Sequence, residues 1–271
     1  MKSQKPMRIV SLCPSTTETL IDFGLTDQLV GVTRFCIHPK DVVETLPRVG
    51  GTKDPKLEKI AAAKPDLVFM NEEENRREDY DWLSARFEVD VSMPTEPSDV
   101  PPLLRRWGQR LGVDSIADER ARAIEAELAA PAPAAGASRP SFAYLIWRRP
   151  FMTAGEDTYI HRLLEGAGGE NALPGLGRYP EIDLDALAEK APDLVLLPDE
   201  PFPFDARHVP EVKEAMPDST RVLLVSGDDL SWHGVRTLRG LRLARALFSG
   251  TCTEGDERWS ADTVQAPSTP T

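Results

Sequence analysis

The chain has 271 residues, 41% of them apolar and 28% charged, with a formal charge of -12. That composition supports a core in one large domain or two smaller ones, and no apolar run reaches the roughly 20 residues a membrane-spanning helix needs. The negative field repels phosphate backbones and argues against a nucleic-acid partner. Three cysteines, Cys13, Cys36 and Cys252, form no CxxC pair and are too sparse for a disulfide framework. The opening MKSQKPMRIVSLC has too short an apolar stretch for a signal-peptide core, so the expected compartment is the cytoplasm, with the periplasm as the alternative if a leader was removed.

Short apolar runs alternate with helical patterns. Residues 8–13 (RIVSLC) read as a buried strand, and Ser15-x-x-Glu18 has capping-box spacing for a helix that stops at Gly24. A strand over 29–33, a helix over 56–64 broken by Pro65, and a strand over 66–70 follow. A helix is expected over 78–87 and a short strand over 89–92. Two helical patterns, 101–111 and 114–130, then run with no strand between them, and a Pro/Ala/Gly/Ser loop fills 131–140. Alternation resumes with strands over 141–147, 193–197 and 221–226 and helices over 158–165, 184–190, 210–216 and 235–248.

LEKIAAAKPDLVFM (57–70) and LDALAEKAPDLVLL (184–197) align without a gap, offset by 127. Any α/β protein can repeat such a phrase. The better reading is one βα unit in each half. The expected fold is α/β, with two Rossmann-like parallel-sheet lobes joined by a helical connector. The expected boundaries are 1–97 for the first lobe, 98–140 for the connector and loop, 141–249 for the second lobe and 250–271 for a disordered tail.

Ligands of open parallel sheets lie beyond the carboxyl ends of the strands. The residues there are Phe35, Cys36 and His38; Glu72, Glu73 and Glu74; Trp147; Asp199 and Glu200; and Asp228, Trp232 and His233. Flat aromatic side chains suit a large planar or ring-shaped ligand. Cys36 and His38 at C-x-H spacing could ligate zinc, iron or cobalt, or be a structural thiol and a loop imidazole. The glutamate run is either a solvated face or a polar edge for a ligand, and Trp147 either core or pocket. His161 and His208 read as structural. No phosphate loop, GxGxxG, GxSxG or HExxH occurs, so no catalytic residue is assigned. The alternative to a binding protein is a cytoplasmic metal-site protein or enzyme using Cys36, His38 and the strand-exit glutamates.

RIVSLCPSTTETLIDFGLTDQLVGVT, VGGTKDPKLEKIAAAKPDLVF and PFMTAGEDTYIHRLLEGAGGENAL resemble, in that order, the Fe/cobalamin-type substrate-binding proteins of ABC importers, the helical-backbone metal receptor family. The similarity covers about residues 7 to 248. It implies two α/β lobes joined by a long backbone helix at 114–130. It also implies a non-catalytic protein that holds cobalamin, haem or a ferric siderophore in the cleft between lobes, without a covalent cofactor, and hands it to an ABC permease. By that resemblance Phe35, His38, Tyr179 and Asp228 fall where the family lines its pocket, and the strand-exit residues Cys36, Glu73, Trp147, Glu200, Trp232 and His233 are expected to meet the ligand with them. Thr52 and Asn71 stand where pocket tryptophans are expected. Glu58 and Asp185, one per lobe, dock on permease arginines.

Overall fold

The computed structural model describes residues 6–130, 139–255 and 258–264. The Pro/Ala loop at 131–138 and the last seven residues of the tail lie outside these. The described chain divides into two compact units. The first holds the residues to Pro94 with Pro102–Ala121 and His233–Arg236, and the second Thr95–Pro101, Arg122–Trp232 and the residues from Thr237.

The first unit contains β1 (Ile9–Ser11), α1 (Pro14–Asp22), β2 (Leu29–Val32), α2 (Lys40–Val43), α3 (Leu57–Ala63), β3 (Leu67–Asn71), α4 (Arg77–Ser84) and β4 (Glu88–Ser92). The strands form one sheet in the order β2-β1-β3-β4, with every neighbour parallel. Each parallel neighbour needs a crossover, which is why helices separate the strands in sequence. Helices on the faces bury the strands on both sides, so β1 and β3 read as continuous apolar runs instead of alternating. One face packs Val10, Leu12, Val68 and Met70 against Ile60 and Leu83. The expected capping box does not form. Cys13, not Ser15, is the N-cap, Pro14 opens the helix, and the Ser15 and Glu18 side chains go to tertiary partners described below.

α5 (Val100–Leu111) and α6 (Asp114–Leu128) carry the chain from this unit toward the next. The resemblance implies a long helix at 114–130, and α6 covers 15 residues of it, Asp114–Leu128, about 22 Å at 1.5 Å per residue. The expected connector at 98–140 is not a separate body, because residues 102–121 belong to the first unit. Trp107 shows why: it is fully buried there, edge-on to Phe69 at 5.4 Å.

The second unit contains β5 (Ser141–Trp147), β6 (Phe151–Thr153), α7 (Tyr159–Gly166), β7 (Glu170–Asn171), β8 (Glu181–Ile182), α8 (Leu184–Glu189), β9 (Leu194–Pro198), α9 (Val209–Ala215), β10 (Arg221–Val225), α10 (Gly227–Ser231), α11 (Thr237–Phe248) and α12 (Ala261–Val264). Its sheet runs β10-β9-β5-β6-β8, with β7 also pairing β5. β5, β9 and β10 are parallel, but β6 and β8 are antiparallel, so this sheet is mixed and not purely parallel. The reason is local. Only Arg148–Pro150 separates β5 from β6, too few residues for a parallel crossover.

The repeat survives in three dimensions. Lys64 and Ala191, offset by 127, both take the left-handed conformation after a helix (φ 47° and 45°), each followed by a proline and then by β3 or β9. Proline cannot continue the helix, and a left-handed residue turns the chain back toward the sheet.

The tail departs from expectation. Cys252 is fully buried, Trp259 forms a parallel bridge to Val225 at the end of β10, and Ala261 opens α12 with its N–H on Asp229 Oδ2 at 2.8 Å. This segment covers the end of the β10 edge with two backbone bonds, Ser226 N–H to Trp259 O and Trp259 N–H to Leu224 O, and its polar side chains add the rest, among them Glu254 accepting from Lys213 and from the Val222 N–H.

Candidate functional site

In the first unit the exits of β1 and β3 meet the start of α1. Ser15 Oγ lies 3.0 Å from His233 Nε2, and Asn71 Nδ2 3.4 Å from the same nitrogen. Cys13 Sγ is 3.9 Å away. Asn71 Nδ2 also donates to Ser92 O, while its Oδ1 accepts from the N–H groups of Glu73 and Glu74, pinning the glutamate turn. Asn75 Nδ2 donates to the carbonyls of Leu12 and Thr52. Thr52 and Asn71 are therefore buried parts of a polar brace. Burial holds His233 neutral, its pKa pushed down to about 4, and its Nδ1 has no hydrogen-bond partner among the described residues.

After β2 the chain turns at residues 34–35. Phe35 and Ile37 are exposed, at 47% and 49%, with the Arg34 guanidinium 4.7 Å from the Phe35 ring centre. Cys36 points inward, 0% exposed, its sulfur 3.1 Å from Thr17 Oγ1 and 3.3 Å from Thr33 Oγ1. Burial raises its pKa, which disfavours the thiolate that a metal or a nucleophile requires. Cys36 is thus corrected from ligand and metal candidate to core residue. His38 is half-buried in the same loop. Among the described residues no group of three or more His, Cys, Asp or Glu side chains is arranged to hold a metal ion.

In the second unit the exits of β5, β9 and β10 carry the expected acids and rings. Glu200 Oε1 accepts from Trp232 Nε1 at 2.6 Å and from Ser231 Oγ at 3.2 Å. Asp199 Oδ1 accepts the Gly227 N–H at 2.7 Å, and Arg258 Nε lies 3.3 Å from its Oδ2. Ser226 caps α10 and donates to Asp228 Oδ1. Burial, then the Asp228 charge, pushes the Glu200 pKa up to about 7. Gly227 is required by close approach, since a Cβ there would sit 2.7 Å from Glu200 Cγ and 2.9 Å from its backbone nitrogen. Trp147 ends β5, 41% exposed, and its ring meets Phe202 edge-on at 5.7 Å, so it is half packed and half presented. Tyr179 is half-buried beside the Arg178 guanidinium.

Two candidates part company. Trp232 belongs to the second unit and His233 to the first, so the pair expected to line one pocket has different neighbours. His233 is 8% exposed and braces α1; it is corrected from ligand contact to support. The sequence reading missed Tyr144. Its hydroxyl is buried with no partner among the described residues, and it lies within electrostatic reach of Glu200, Asp199 and Asp228. The signal was there: a phenol inside SFAYLIW, a strand buried on both faces.

The arrangement offers flat surfaces and hydrogen-bond acceptors at strand exits, as expected of a receptor. Residues 9–216 match the family model described as periplasmic binding protein. The chain belongs to that family. It is 25% identical over 212 residues to a vitamin B12-binding protein of Vibrio parahaemolyticus, covering 77% of this chain and 74% of that one. Among solved structures, the apo periplasmic haem-binding protein of Roseiflexus sp. RS-1 superposes with a TM-score of 0.74 and 22% identity, over 92% of this chain and 100% of that one. The periplasmic vitamin B12 binding protein of Vibrio cholerae gives 0.73 and 19%, over 90% and 96%. The α/β architecture is that of these binding proteins.

The two shifted groups make opposite predictions for stability. Between its ordinary value of 4.5 and about 7, Glu200 keeps in the fold a proton that the unfolded chain releases, so stability falls as pH rises, by roughly 3 kcal/mol across the window. Between about 4 and its ordinary 6.5, His233 refuses a proton that the unfolded chain binds, so stability falls as pH drops, again by roughly 3 kcal/mol. The slopes partly cancel in the wild type. Glu200→Gln is expected to leave stability rising with pH over this range, and His233→Gln to leave it falling. Urea midpoints across the range check both, and superimposable profiles for all three proteins would contradict the assignment.

Proposed function

We propose that the protein is a non-catalytic receptor for a metal chelate (a corrinoid, haem or ferric siderophore) that it delivers to an ABC importer. One observation carries the reading: a member of the periplasmic binding protein family presents aromatic and acceptor side chains where its parallel strands end. Relatives are named for vitamin B12 and for haem, both metal macrocycles with wide flat faces. In the second unit Trp147, Tyr179 and Trp232 offer rings for such a face and Glu200 and Asp228 acceptors for its polar edge; the first unit, taken by itself, offers Phe35, His38 and Glu73. The chelate is cargo, not a cofactor. The relatives' names favour the periplasm over the cytoplasm expected from the opening residues.

Glu58 and Asp185 support importer delivery. Both are exposed, and each is the second residue of its helix, α3 or α8, at positions offset by 127. A carboxylate in a first turn is favoured by the helix dipole and stays available to a cation from outside. Glu58→Arg with Asp185→Arg is expected to leave chelate affinity within about twofold while reducing uptake through the cognate permease in vesicles by tenfold or more. Undiminished uptake would contradict the docking role.

Titration calorimetry with visible spectra tests the reading, using cyanocobalamin, haemin and a ferric trihydroxamate. Binding of at least one in the low micromolar range or tighter is expected. No heat and no spectral change with any of them at about 100 micromolar would overturn it.

A further inference from the structure

We propose that the C-terminal segment 258–264 is a strap belonging to the binding machinery of the second unit. Arg258 is its positioning residue, holding the loops after β9 and β10 in the arrangement that presents Glu200 and Trp232 to the cargo. This inference rests on the receptor reading above and adds the element that sets its geometry. The strap lies beyond the residues, 9–216, that match the family.

The Arg258 guanidinium reaches four acceptors. Nη1 donates to the carbonyl of Val225, the last residue of β10, at 2.6 Å, and to that of Leu197, one residue before the end of β9, at 3.3 Å. Nη2 donates to Phe204 O, and Nε lies 3.3 Å from Asp199 Oδ2. One side chain thus holds the ends of two neighbouring strands and both ends of the loop 199–204, in which Glu200 stands. The contacts run on to Glu200 itself. Asp199 Oδ1 accepts the Gly227 N–H at 2.7 Å, and a Cβ on Gly227 would fall 2.9 Å from the Glu200 nitrogen. Three residues after Arg258, the Ala261 N–H donates to Asp229 Oδ2 at 2.8 Å, while Arg239 Nε holds Asp229 Oδ1 at 3.0 Å. Asp229 is 1% exposed and belongs to α10. The end of α10 supplies Ser231 and, just after it, Trp232, both of which donate to Glu200 Oε1. The strap therefore ties the β9 side at Arg258 and the β10 side at Ala261.

Binding groups on loops work only as well as the loops are held. A loop that must be ordered when cargo arrives loses affinity to that ordering, and a loop ordered beforehand does not. A guanidinium suits the task, because its planar array of five donors can serve several acceptors at once, whereas an ammonium is a point charge on a flexible stem. Anchoring and positioning are also separate along the tail. Cys252 and Glu254 serve Arg221, Val222 and Lys213, at the start of β10 and on α9, away from the exits. Only the residues from Arg258 onward reach the exit loops, so the strap can be removed while the anchor stays.

The test joins calorimetry, with whichever of cyanocobalamin, haemin and a ferric trihydroxamate binds the wild type, to amide hydrogen exchange. Arg258→Gln and a chain ending at Gly255 are each expected to weaken binding about tenfold. Each is also expected to speed exchange over 199–204 and 227–232 by about tenfold, and to leave exchange in β1 and β3 of the first unit unchanged. Arg258→Lys keeps a charge beside Asp199 without the planar array, and is expected to remain about fivefold weaker than the wild type. Wild-type affinity in Arg258→Gln, unchanged exchange in the two loops, or full recovery by Arg258→Lys overturns the positioning role and leaves the receptor function standing. If the wild type holds none of the three chelates, the receptor reading falls, and the exchange rates by themselves uphold or overturn the strap.

Discussion

Trp107→Ala is expected to lower the stability of the first unit by about 4 kcal/mol, the range for deleting a large buried aromatic side chain. The indole is fully buried and meets Phe69 of β3 edge-on, so its removal opens a cavity against the central sheet. It also takes away a donor: Trp107 Nε1 gives its proton to Asp90 Oδ1 at 3.1 Å. Asp90 is buried and is held as well by Arg106 at 2.7 Å and Arg110 at 3.2 Å, so the carboxylate keeps its charge partners but loses the contact deepest in the core. Trp107→Phe separates the two terms. It refills much of the volume and leaves only the lost indole bond, so it should cost about 2 kcal/mol. Urea unfolding followed by circular dichroism measures both. A Trp107→Ala cost below about 1 kcal/mol would show that α5 is not anchored through this residue.

Arg236→Met comes next, at about 3 kcal/mol. Arg236 belongs to the tetrapeptide His233–Arg236, which the first unit holds through α1. Its guanidinium grips Glu18 with two bonds, at 2.7 and 2.6 Å, and the side chains are only 6% and 16% exposed. Beside it the Val235 N–H donates to Thr19 Oγ1, and Gly234, at φ 78°, lies so close to Thr19 that an added Cβ would fall 2.2 Å from that oxygen. Removing one partner leaves Glu18 as a mostly buried carboxylate without its counter-charge, which costs far more than the intact pair contributes. Glu18→Gln with Arg236→Met is therefore expected to be more stable than Arg236→Met alone, a non-additivity on the order of 1 kcal/mol or more. Strict additivity in the double-variant cycle would mean the two side chains act separately.

These same residues show where sequence reading stops. Strands such as 66–70 and 193–197 are legible because a buried parallel strand is a short unbroken apolar run between turn signals, and the 127-residue repeat is legible because each copy ends a helix with a proline followed by Asp-Leu-Val. The strand exits are legible from the rule that ligands lie beyond the carboxyl ends. What the sequence conceals is the choice a polar side chain makes among partners distant along the chain. Ser15 and Glu18 have the spacing of a local cap, yet His233 and Arg236, more than 200 residues away, offer partners in a buried setting, where a satisfied hydroxyl and a paired carboxylate outweigh a local cap. For the same reason Trp232 and His233, adjacent in sequence, serve different units. Cys36 looked like a ligand because of its neighbours Phe35 and His38, but a turn at residues 34–35, closed by the Cys36 N–H on Thr33 O, leaves Phe35 outside and puts the thiol inside. Tyr144 escaped because a tyrosine in an apolar strand usually reads as core, and only the unpaired oxygen betrays it.

The most direct test is to crystallise the protein with its chelate and locate the cobalt or iron by anomalous scattering. The account predicts the metal beyond the carboxyl ends of β9 and β10, within about 12 Å of the Glu200 carboxylate, a reach set by the half-width of a macrocycle plus one hydrogen bond. A metal found beyond the amino ends of those strands, or on the outer surface of the helices, would contradict it.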